Sequence, residues 1–400
     1  MTEYGPIEPA TRGEYHRFTR YGFAAEEGPL GGDAETDFGS PLFDLRGVYD
    51  GGLRAGCKRY AFEAYVRDDT RTVGGLGALA TPPEYRGQGY ARTLCRAVCR
   101  EYSAEGVGLV ALWPFSTPFY RGLGWATAHD RYRFDLTPEL LPAHEPGGQY
   151  RRLDADDWEQ LGAVAALSRD GVTLSMRRSE AWWRERTLTS WTGGAEPFVY
   201  GYERDGDLAG YLVYTVDDSD DSSERTLSVS AFAHVDREAN RSLLAFLRRH
   251  GAQIDRVVLE RPTTSRLLDL VENPDTVTCE RAPGPMARLT GFDPLETLDW
   301  SGLDRPLTVA VTDPLCAATD GVFAVSGDGI ERRDDTDPDL TTDIGTLTQL
   351  YLGRYDPTPA QAVAGLDVRT DAARSTLAAA SPGRPVYPGA HCSEGPSRDT

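Results

Sequence analysis

Lysine is almost absent from this sequence. The 400-residue chain has one lysine, Lys58, among its 42 basic residues, and its 62 acidic residues give a formal net charge of −20. A surface this acidic repels nucleic acid and anionic lipid, so neither is expected as a partner. Acidic, lysine-poor chains are also typical of proteins that work in concentrated salt, where screening to about 3 Å at 1 M removes self-repulsion. We therefore predict a halophilic source.

The sequence also lacks long apolar runs and cysteine motifs. No run approaches the roughly 18 apolar residues of a membrane span, and the first fifteen residues show no basic region followed by an apolar one. We therefore expect a cytoplasmic protein that does not bind membranes. The six cysteines are irregularly spaced and form no Cys-x-x-Cys pair. Because Cys95 and Cys99 are one helical turn apart, they are expected to pack in a core, and no metal site is predicted.

The chain has enough hydrophobic residues to form several hydrophobic cores. Four hundred residues exceed what one hydrophobic core usually holds, and 40% of them are hydrophobic. A turn-rich cluster at residues 145–148 predicts one domain boundary, and a further part begins near Trp300. We therefore divide the chain into domains at residues 1–148, 149–298 and 299–400, the last with a polar tail at 393–400.

The most informative segment runs from residue 73 to residue 125. Gly75–Thr81 is small and apolar and predicts a buried strand, and a helix is expected to begin near Gly89. A second apolar strand, Val107–Leu112, should follow it. Between the first strand and the helix lies Arg-Gly-Gln-Gly-Tyr-Ala, residues 86–91. Small residues at a helix start let unpaired backbone N–H groups approach a pyrophosphate, although a simple connecting turn is the alternative.

These residues resemble the acetyl-CoA motif of the GCN5-related N-acetyltransferase (GNAT) superfamily. The resemblance rests on residues 79–81 and 83–89, and on the segment Pro118–Trp125, which in that superfamily carries a tyrosine facing the thioester. It implies acetyl-CoA as the co-substrate. The contacts with acetyl-CoA that it implies come from Leu79, Ala80, Thr81, Arg86, Gly87, Gln88, Gly89, Tyr90, Ala91, Arg92, Phe115 and Ser116.

The length, the motif spacing and the C-terminal third resemble more narrowly the enhanced-intracellular-survival (Eis) group. This resemblance implies an α+β fold of two tandem GNAT folds, each a mixed central sheet flanked by helices, followed by an α+β domain like sterol-carrier-protein-2. The second GNAT fold is interpreted as degenerate, because Val235–Ser242 contains no glycine where the first fold has Arg86–Ala91. The third domain is implied to be a wall of the active site. The group also implies a homo-oligomer such as a hexamer.

Acetyl transfer by direct attack requires an unprotonated amine, a hydrogen-bond donor to the carbonyl oxygen and a proton for the departing sulfur. The strand backbone at residues 79–81 is expected to pair with pantetheine and to donate to that oxygen. Tyr120 is the predicted general acid, because a phenol with a reference pKa of about 10 stays protonated at neutral pH. The alternative is a core tyrosine whose hydroxyl is satisfied locally.

The general base is less well defined. Eis-type enzymes are thought to use their C-terminal carboxylate, and alignment through Arg384–Val386 places that end near His391 or Cys392. This chain instead continues to Thr400. Either the Thr400 carboxylate reaches the site from a looped tail, or another group takes that role.

The sequence does not select the substrate beyond a primary amine, on a small molecule or on a protein lysine. A polyamine and an aminoglycoside-like amine fit equally well. The competing hypothesis is a non-catalytic CoA-binding or scaffold protein, which would use the third domain to carry an apolar ligand.

Overall fold

The computed structural model describes residues 2–29, 39–169, 171–190, 194–218, 224–303, 305–333 and 335–389. The chain divides into two compact units. The first combines residues 1–63, 70–128 and 285–384, and the second combines residues 64–69, 129–284 and 385–400. Each unit is therefore assembled from segments that are distant in the sequence.

Strands and helices follow one another throughout the described residues. The strands, numbered in chain order, are β1 (Glu3–Pro6), β2 (Phe43–Tyr49), β3 (Leu53–Val66), β4 (Asp69–Ala80), β5 (Leu109–Leu112), β6 (Ala126–Thr127), β7 (Asp130–Leu136), β8 (Gln149–Arg152), β9 (Ser175–Arg177), β10 (Phe198–Arg204), β11 (Asp207–Asp218), β12 (Arg225–His234), β13 (Arg256–Pro262), β14 (Thr278–Pro283), β15 (Met286–Leu289), β16 (Leu307–Thr312), β17 (Gly321–Ser326), β18 (Gly329–Arg332), β19 (Leu340–Asp343) and β20 (Leu366–Val368). The helices are α1 (Pro9–Phe23), α2 (Tyr90–Ala104), α3 (Thr117–Arg121), α4 (Trp158–Ser168), α5 (Glu180–Trp182), α6 (Arg237–Arg248), α7 (Ile344–Leu352), α8 (Pro357–Val363) and α9 (Asp371–Ala380). The predicted α+β fold class is confirmed.

The first sheet has the strand order β1-β2-β3-β4-β5-β15-β6. Its parallel strands β4 and β5 are connected by α2, which gives the expected β-α-β unit. The buried face of α2 consists of Leu94, Cys95, Val98, Cys99 and Tyr102. A Cβ atom at Gly74 would lie 2.7 Å from the Tyr102 ring, so this glycine allows α2 to approach β4 closely.

Strand β15 inserts between β5 and β6, far from its sequence neighbours. Met286 lies opposite Leu112 of β5 and Thr127 of β6, and all four residues of β15 are buried. Conversely, β7 precedes residue 148 but belongs to the second sheet. The predicted boundaries at 148 and 298 therefore do not follow the sheets. A four-residue strand is too short to show the alternation that would have revealed this exchange.

The third sheet, also in the first unit, has the order β18-β17-β16-β19-β20. Helix α7 begins at Ile344, because the preceding residues alternate between buried and half-buried and form β19. Asp343 then caps α7, its side chain accepting a hydrogen bond from the Thr346 N–H at 2.9 Å.

The second sheet, in the second unit, has the order β14-β7-β13-β12-β11-β10-β8. Its parallel pair β12 and β13 is connected by α6, so the β-α-β arrangement of the first sheet is repeated. Among the described residues of both units, no helix is long and apolar enough to cross a membrane.

A buried ion pair joins β15 to the loop that follows β16. The Arg288 and Asp313 side chains are both 0% exposed, and Nη2 of Arg288 lies 2.6 Å from Oδ2 of Asp313. Nη1 of Arg288 donates to the Leu123 carbonyl at 2.5 Å. Oδ1 of Asp313 accepts from the backbone N–H groups of Leu315 at 2.8 Å and Cys316 at 3.1 Å. One pair therefore holds three chain segments that the sequence separates.

Replacing Arg288 by methionine should lower the free energy of unfolding of the first unit by about 3–5 kcal/mol, because Asp313 would be left buried without its counter-charge. The double variant Arg288→Met/Asp313→Asn should recover part of this loss, because asparagine removes the unpaired charge while its Oδ1 can still accept from the Leu315 and Cys316 N–H groups. Urea unfolding at constant salt, followed by tryptophan fluorescence and circular dichroism, measures the changes.

Arg305→Met is the matched control, because Arg305 pairs with Asp339 at 2.6 Å while its own side chain is 65% exposed. Exposed pairs contribute about 1 kcal/mol or less. Equal losses in Arg288→Met and Arg305→Met would contradict a special role for the buried pair.

Candidate active site

Strands β4 and β5 are paired over only a short stretch. Gly74 pairs with Val110 and Gly75 with Ala111, whereas β4 continues to Ala80. The C-terminal half of β4 therefore has no partner on β5. The backbone groups on this edge of β4 are not used by β5, so an extended ligand can add to the edge there.

A local backbone distortion lies in the half of β4 that β5 does not cover. Ala78 has a φ of 46°, in the left-handed region that residues with a Cβ rarely adopt. Its carbonyl oxygen accepts a hydrogen bond from the Tyr15 hydroxyl at 2.8 Å. Outliers of this kind cost about 1–3 kcal/mol and are concentrated at functional sites. No sequence signal indicated this residue.

The predicted contacts at the end of β4 differ in exposure. The Leu79 and Ala80 side chains are buried, and Thr81 is half-buried. Leu79 and Ala80 can therefore reach a ligand only through their backbone N–H and C=O groups.

The loop after β4 ends at an open helix N-terminus. Gly87 and Gly89 have φ values of 75° and 82°, and a Cβ at either position would meet no atom within 4 Å. Both residues are exposed. The left-handed backbone, which glycine adopts without strain, is therefore the reason for glycine at these positions.

Three backbone donors precede the hydrogen-bond ladder of α2. The Thr93 N–H donates to the Gly89 carbonyl at 2.9 Å, so the N–H groups of Tyr90, Ala91 and Arg92 come before this first helical bond. Gly89 provides no side-chain cap. Together with the positive end of the helix dipole, these groups form a site for an anion.

The polar side chains around this loop bind other parts of the protein. Arg86 Nε donates to the Thr81 carbonyl at 3.0 Å, Gln88 Nε2 to the Glu84 carbonyl at 3.1 Å, the Tyr90 hydroxyl to Asp50 at 3.0 Å, and Arg92 to the Pro314 carbonyl. These side-chain hydrogen bonds hold the loop and the first turn of α2 in place. The backbone of the loop is what remains open to a ligand.

Tyr120 lies on α3, in a cluster of aromatic rings. Its side chain is 3% exposed, and its ring centroid lies 5.3 Å from Phe115, 5.0 Å from Phe119 and 5.9 Å from Trp125. Phe115 is 60% exposed, so the cluster reaches the surface through this ring. The Ser116 hydroxyl caps α3 by accepting the Phe119 N–H at 3.5 Å. Tyr120 therefore has a fixed orientation, whatever its role.

The remaining predicted catalytic residue, Thr400, lies outside the described residues, as do His391 and Cys392. Sequence reasoning missed Arg288, which positions the turn that follows Tyr120 by binding the Leu123 carbonyl. A Cβ at Gly124 would lie 2.9 Å from Arg288 Nη1, so the turn and the guanidinium are in close contact.

In the second unit, the N-terminus of the corresponding helix, α6, is blocked by acidic side chains. Asp236 caps α6, its Oδ1 accepting the Ala239 N–H at 2.9 Å, and Glu238 lies in the first turn. Arg204 binds both carboxylates, at 2.6 Å and 2.8 Å. Because two carboxylates occupy the position that a pyrophosphate would take, this helix cannot serve as a second CoA site.

Three parts of the chain match models of known protein families. Residues 3–128 and residues 174–289 each match a family described as an acetyltransferase (GNAT) domain. The chain carries two GNAT acetyltransferase domains. Residues 293–388 match the sterol carrier protein domain. The tandem architecture predicted from the sequence is thus confirmed, and no curated protein matches the chain significantly.

Solved structures share the fold of this tandem GNAT chain along nearly its whole length. A GCN5-related N-acetyltransferase from Anabaena variabilis has a TM-score of 0.80 at 18% identity and covers 96% of this chain and 99% of its own. A probable N-acyltransferase from Enterococcus faecalis has a TM-score of 0.79 at 19% identity, with coverage of 96% and 99%. Eis1 from Mycobacterium abscessus has a TM-score of 0.75 at 22% identity, with coverage of 97% and 99%.

The Gly89→Glu variant should weaken acetyl-CoA binding at least about tenfold, since a carboxylate at the helix N-terminus would repel the pyrophosphate. Isothermal titration at high salt measures this affinity. Gly106→Glu is a matched control at the other end of α2, because Gly106 has a φ of 75° and its Cβ would also meet no atom within 4 Å. Equal losses in both variants would show that backbone strain, not charge at the N-terminus, is responsible.

Proposed function

We propose that this chain is an acetyl-CoA-dependent N-acetyltransferase that acts on a primary amine by direct attack. The observation that carries the proposal is the open N-terminus of α2 together with the C-terminal part of β4 that β5 does not cover. The helix end is suited to a pyrophosphate, and the unpaired edge of β4 is suited to the amide groups of a pantetheine arm. The match to acetyltransferase families supports acetyl as the transferred group.

Each part of the site has a role in this reaction. The neutral amine attacks the thioester carbonyl carbon, and a base takes up the proton that the nitrogen loses. Backbone N–H groups of residues 79–81 donate to the carbonyl oxygen as negative charge develops on it. The carbon–sulfur bond then breaks, and Tyr120 donates a proton to the CoA sulfur. The products are an acetylated amine and free CoA thiol.

The geometry of Tyr120 supports the role of general acid. Three aromatic rings and the cap at Ser116 hold the α3 turn, so the hydroxyl does not have to be ordered during the reaction. Arg288 restrains the turn from the other side through the Leu123 carbonyl. The base is proposed to be the Thr400 carboxylate, with another group as the alternative.

The core of the C-terminal domain has little space for an apolar ligand, which the alternative of a non-catalytic ligand carrier would require. The apolar cavity lined by Trp300, Phe323 and Tyr351 has a volume of only about 30 Å³. Sites for small organic ligands usually measure about 300–1,000 Å³. Among the described residues, this cavity is therefore too small to hold a lipid without rearrangement of the domain.

Replacing Tyr120 by phenylalanine should lower kcat roughly 100-fold while leaving the Kd for acetyl-CoA nearly unchanged, because only the proton donor is lost. The assay is release of free thiol from acetyl-CoA at high salt with a polyamine, an aminoglycoside and a lysine peptide as acceptors. Thiol release that no amine stimulates would contradict the proposed function itself.

Tyr102→Phe is the matched control. Tyr102 is equally buried, and its hydroxyl lies 2.6 Å from the Tyr60 carbonyl and 2.8 Å from that of Gly75. This variant should lose about 1–3 kcal/mol of stability and keep its kcat. Full activity in Tyr120→Phe would remove the general-acid assignment.

Deleting residues 393–400 should lower kcat on the order of 100-fold if the Thr400 carboxylate is the base. The matched variant keeps every residue and adds two alanines after Thr400, which displaces the carboxylate alone. We expect both variants to lose activity with unchanged acetyl-CoA affinity. An unchanged rate in either would exclude the terminal carboxylate and assign the base to another group.

A further inference from the structure

A cavity of about 490 Å³ opens in the second unit, lined mainly by the second GNAT domain and on one side by residues 385 and 387–389. Residues 226–229 of β12 pair with residues 256–259 of β13, and both strands then continue beyond the paired region, to His234 and Pro262. The cavity lies where these two strands are no longer paired with each other, although β12 stays paired with β11 and β13 with β7, and it is lined by residues from both. Its volume falls within the range of sites for small organic molecules.

The charge of this cavity is opposite to that of the chain. Four arginines line it, namely Arg169, Arg178, Arg261 and Arg266. Glu260 is the one carboxylate among its described lining residues, and it accepts a hydrogen bond from Arg131 at 2.7 Å. In a chain with a net charge of −20, such a concentration of guanidinium groups indicates an anionic ligand.

Arg261 is the most informative of the four. Its guanidinium lies 4.1 Å from the centroid of the Phe232 ring, and burial lowers the pKa of this guanidinium. Within the part of the chain that the structure describes, Arg261 has no carboxylate partner. The Arg261 residue is half-buried. A guanidinium that is partly withdrawn from water without a counter-charge is unfavourable, and a bound anion would offset that cost.

The other walls of the cavity are apolar or neutral. Met176, Leu244, Leu267 and Leu270 contribute apolar surface. Burial, and next the charge of Arg261, lower the pKa of His234 to about 4, so this imidazole is neutral at neutral pH. Its Nδ1 atom is buried without a hydrogen-bond partner among the described residues. A ligand that fits these surroundings has a charged end and an apolar end.

The helix next to the cavity, α6, does not favour binding of a phosphate group there. The N-terminus of α6 is already capped by Asp236, with Glu238 in its first turn, so it does not offer backbone donors to a nucleotide. Glu260 on the cavity wall also disfavours a doubly charged head group. A carboxylate carries one charge and matches the planar fork of a guanidinium.

We propose that the cavity between β12 and β13 binds a small amphipathic carboxylate, with its head group on Arg261 and its apolar part against Leu244 and Leu267. This site uses none of the residues assigned to acetyl transfer. Loss of binding at this cavity can therefore be measured independently of acetyl transfer, and a failure of one does not imply a failure of the other.

Phenylacetate is a suitable probe, because it combines a carboxylate with one aromatic ring. Isothermal titration at the lowest salt at which circular dichroism shows a folded chain should detect its binding. The neutral analogue phenylacetamide and the cation phenethylammonium should bind at least about tenfold more weakly. Equal binding of phenylacetamide would overturn the proposal, and tighter binding of phenyl phosphate would overturn the choice of a carboxylate.

Arg261→Gln should weaken phenylacetate binding about tenfold or more, whereas Arg249→Gln should not change it. Arg249 is the matched control, since it lies 4.9 Å from the Tyr150 ring in the same domain but does not line the cavity. Arg261→Lys should give an intermediate affinity. Unchanged binding in Arg261→Gln, or displacement of phenylacetate by saturating CoA, would overturn the assignment to this cavity.

Discussion

The buried pair of Arg288 and Asp313 is the interaction on which the first unit depends. An uncompensated charge at either position would be strongly unfavourable, so β15 and the loop after β16 have to assemble together. The pair also fixes the turn between Tyr120 and β6, through the Leu123 carbonyl and the close approach of Gly124. The sterol carrier protein domain is thereby part of the support of the proposed general acid.

Features encoded by neighbouring residues were predictable from the sequence. The small apolar strand, the glycine turn at residues 87–89 and the core positions of Cys95 and Cys99 on α2 lie within one stretch, and strand, helix and strand follow one another where they were expected. Features that depend on distant residues were not predictable. Arg288 is an arginine in a buried strand, and only its fold neighbour Asp313 explains it. The left-handed backbone of Ala78 has no compositional signal at all.

The two GNAT domains differ in where positive charge is placed. In the first, glycine leaves the backbone N–H groups of a helix N-terminus open. In the second, Asp236 and Glu238 close the equivalent end, and positive charge is supplied by arginine side chains between the strands. The loss of glycine at residues 235–242, read from the sequence as degeneration, therefore accompanies a change in where positive charge is placed. The roles of Tyr120 and Thr400 remain predictions.

The insertion of β15 has a consequence for how the chain folds during synthesis. Residues 286–289 complete the first sheet only after the ribosome has made the whole second sheet. Until then, the edges of β5 and β6 that β15 later covers are exposed, and unpaired strand edges promote association between chains. At low ionic strength the net charge of −20 would keep such chains apart, whereas in concentrated salt that repulsion is screened and the exposed edges are protected only by the speed with which β15 is added.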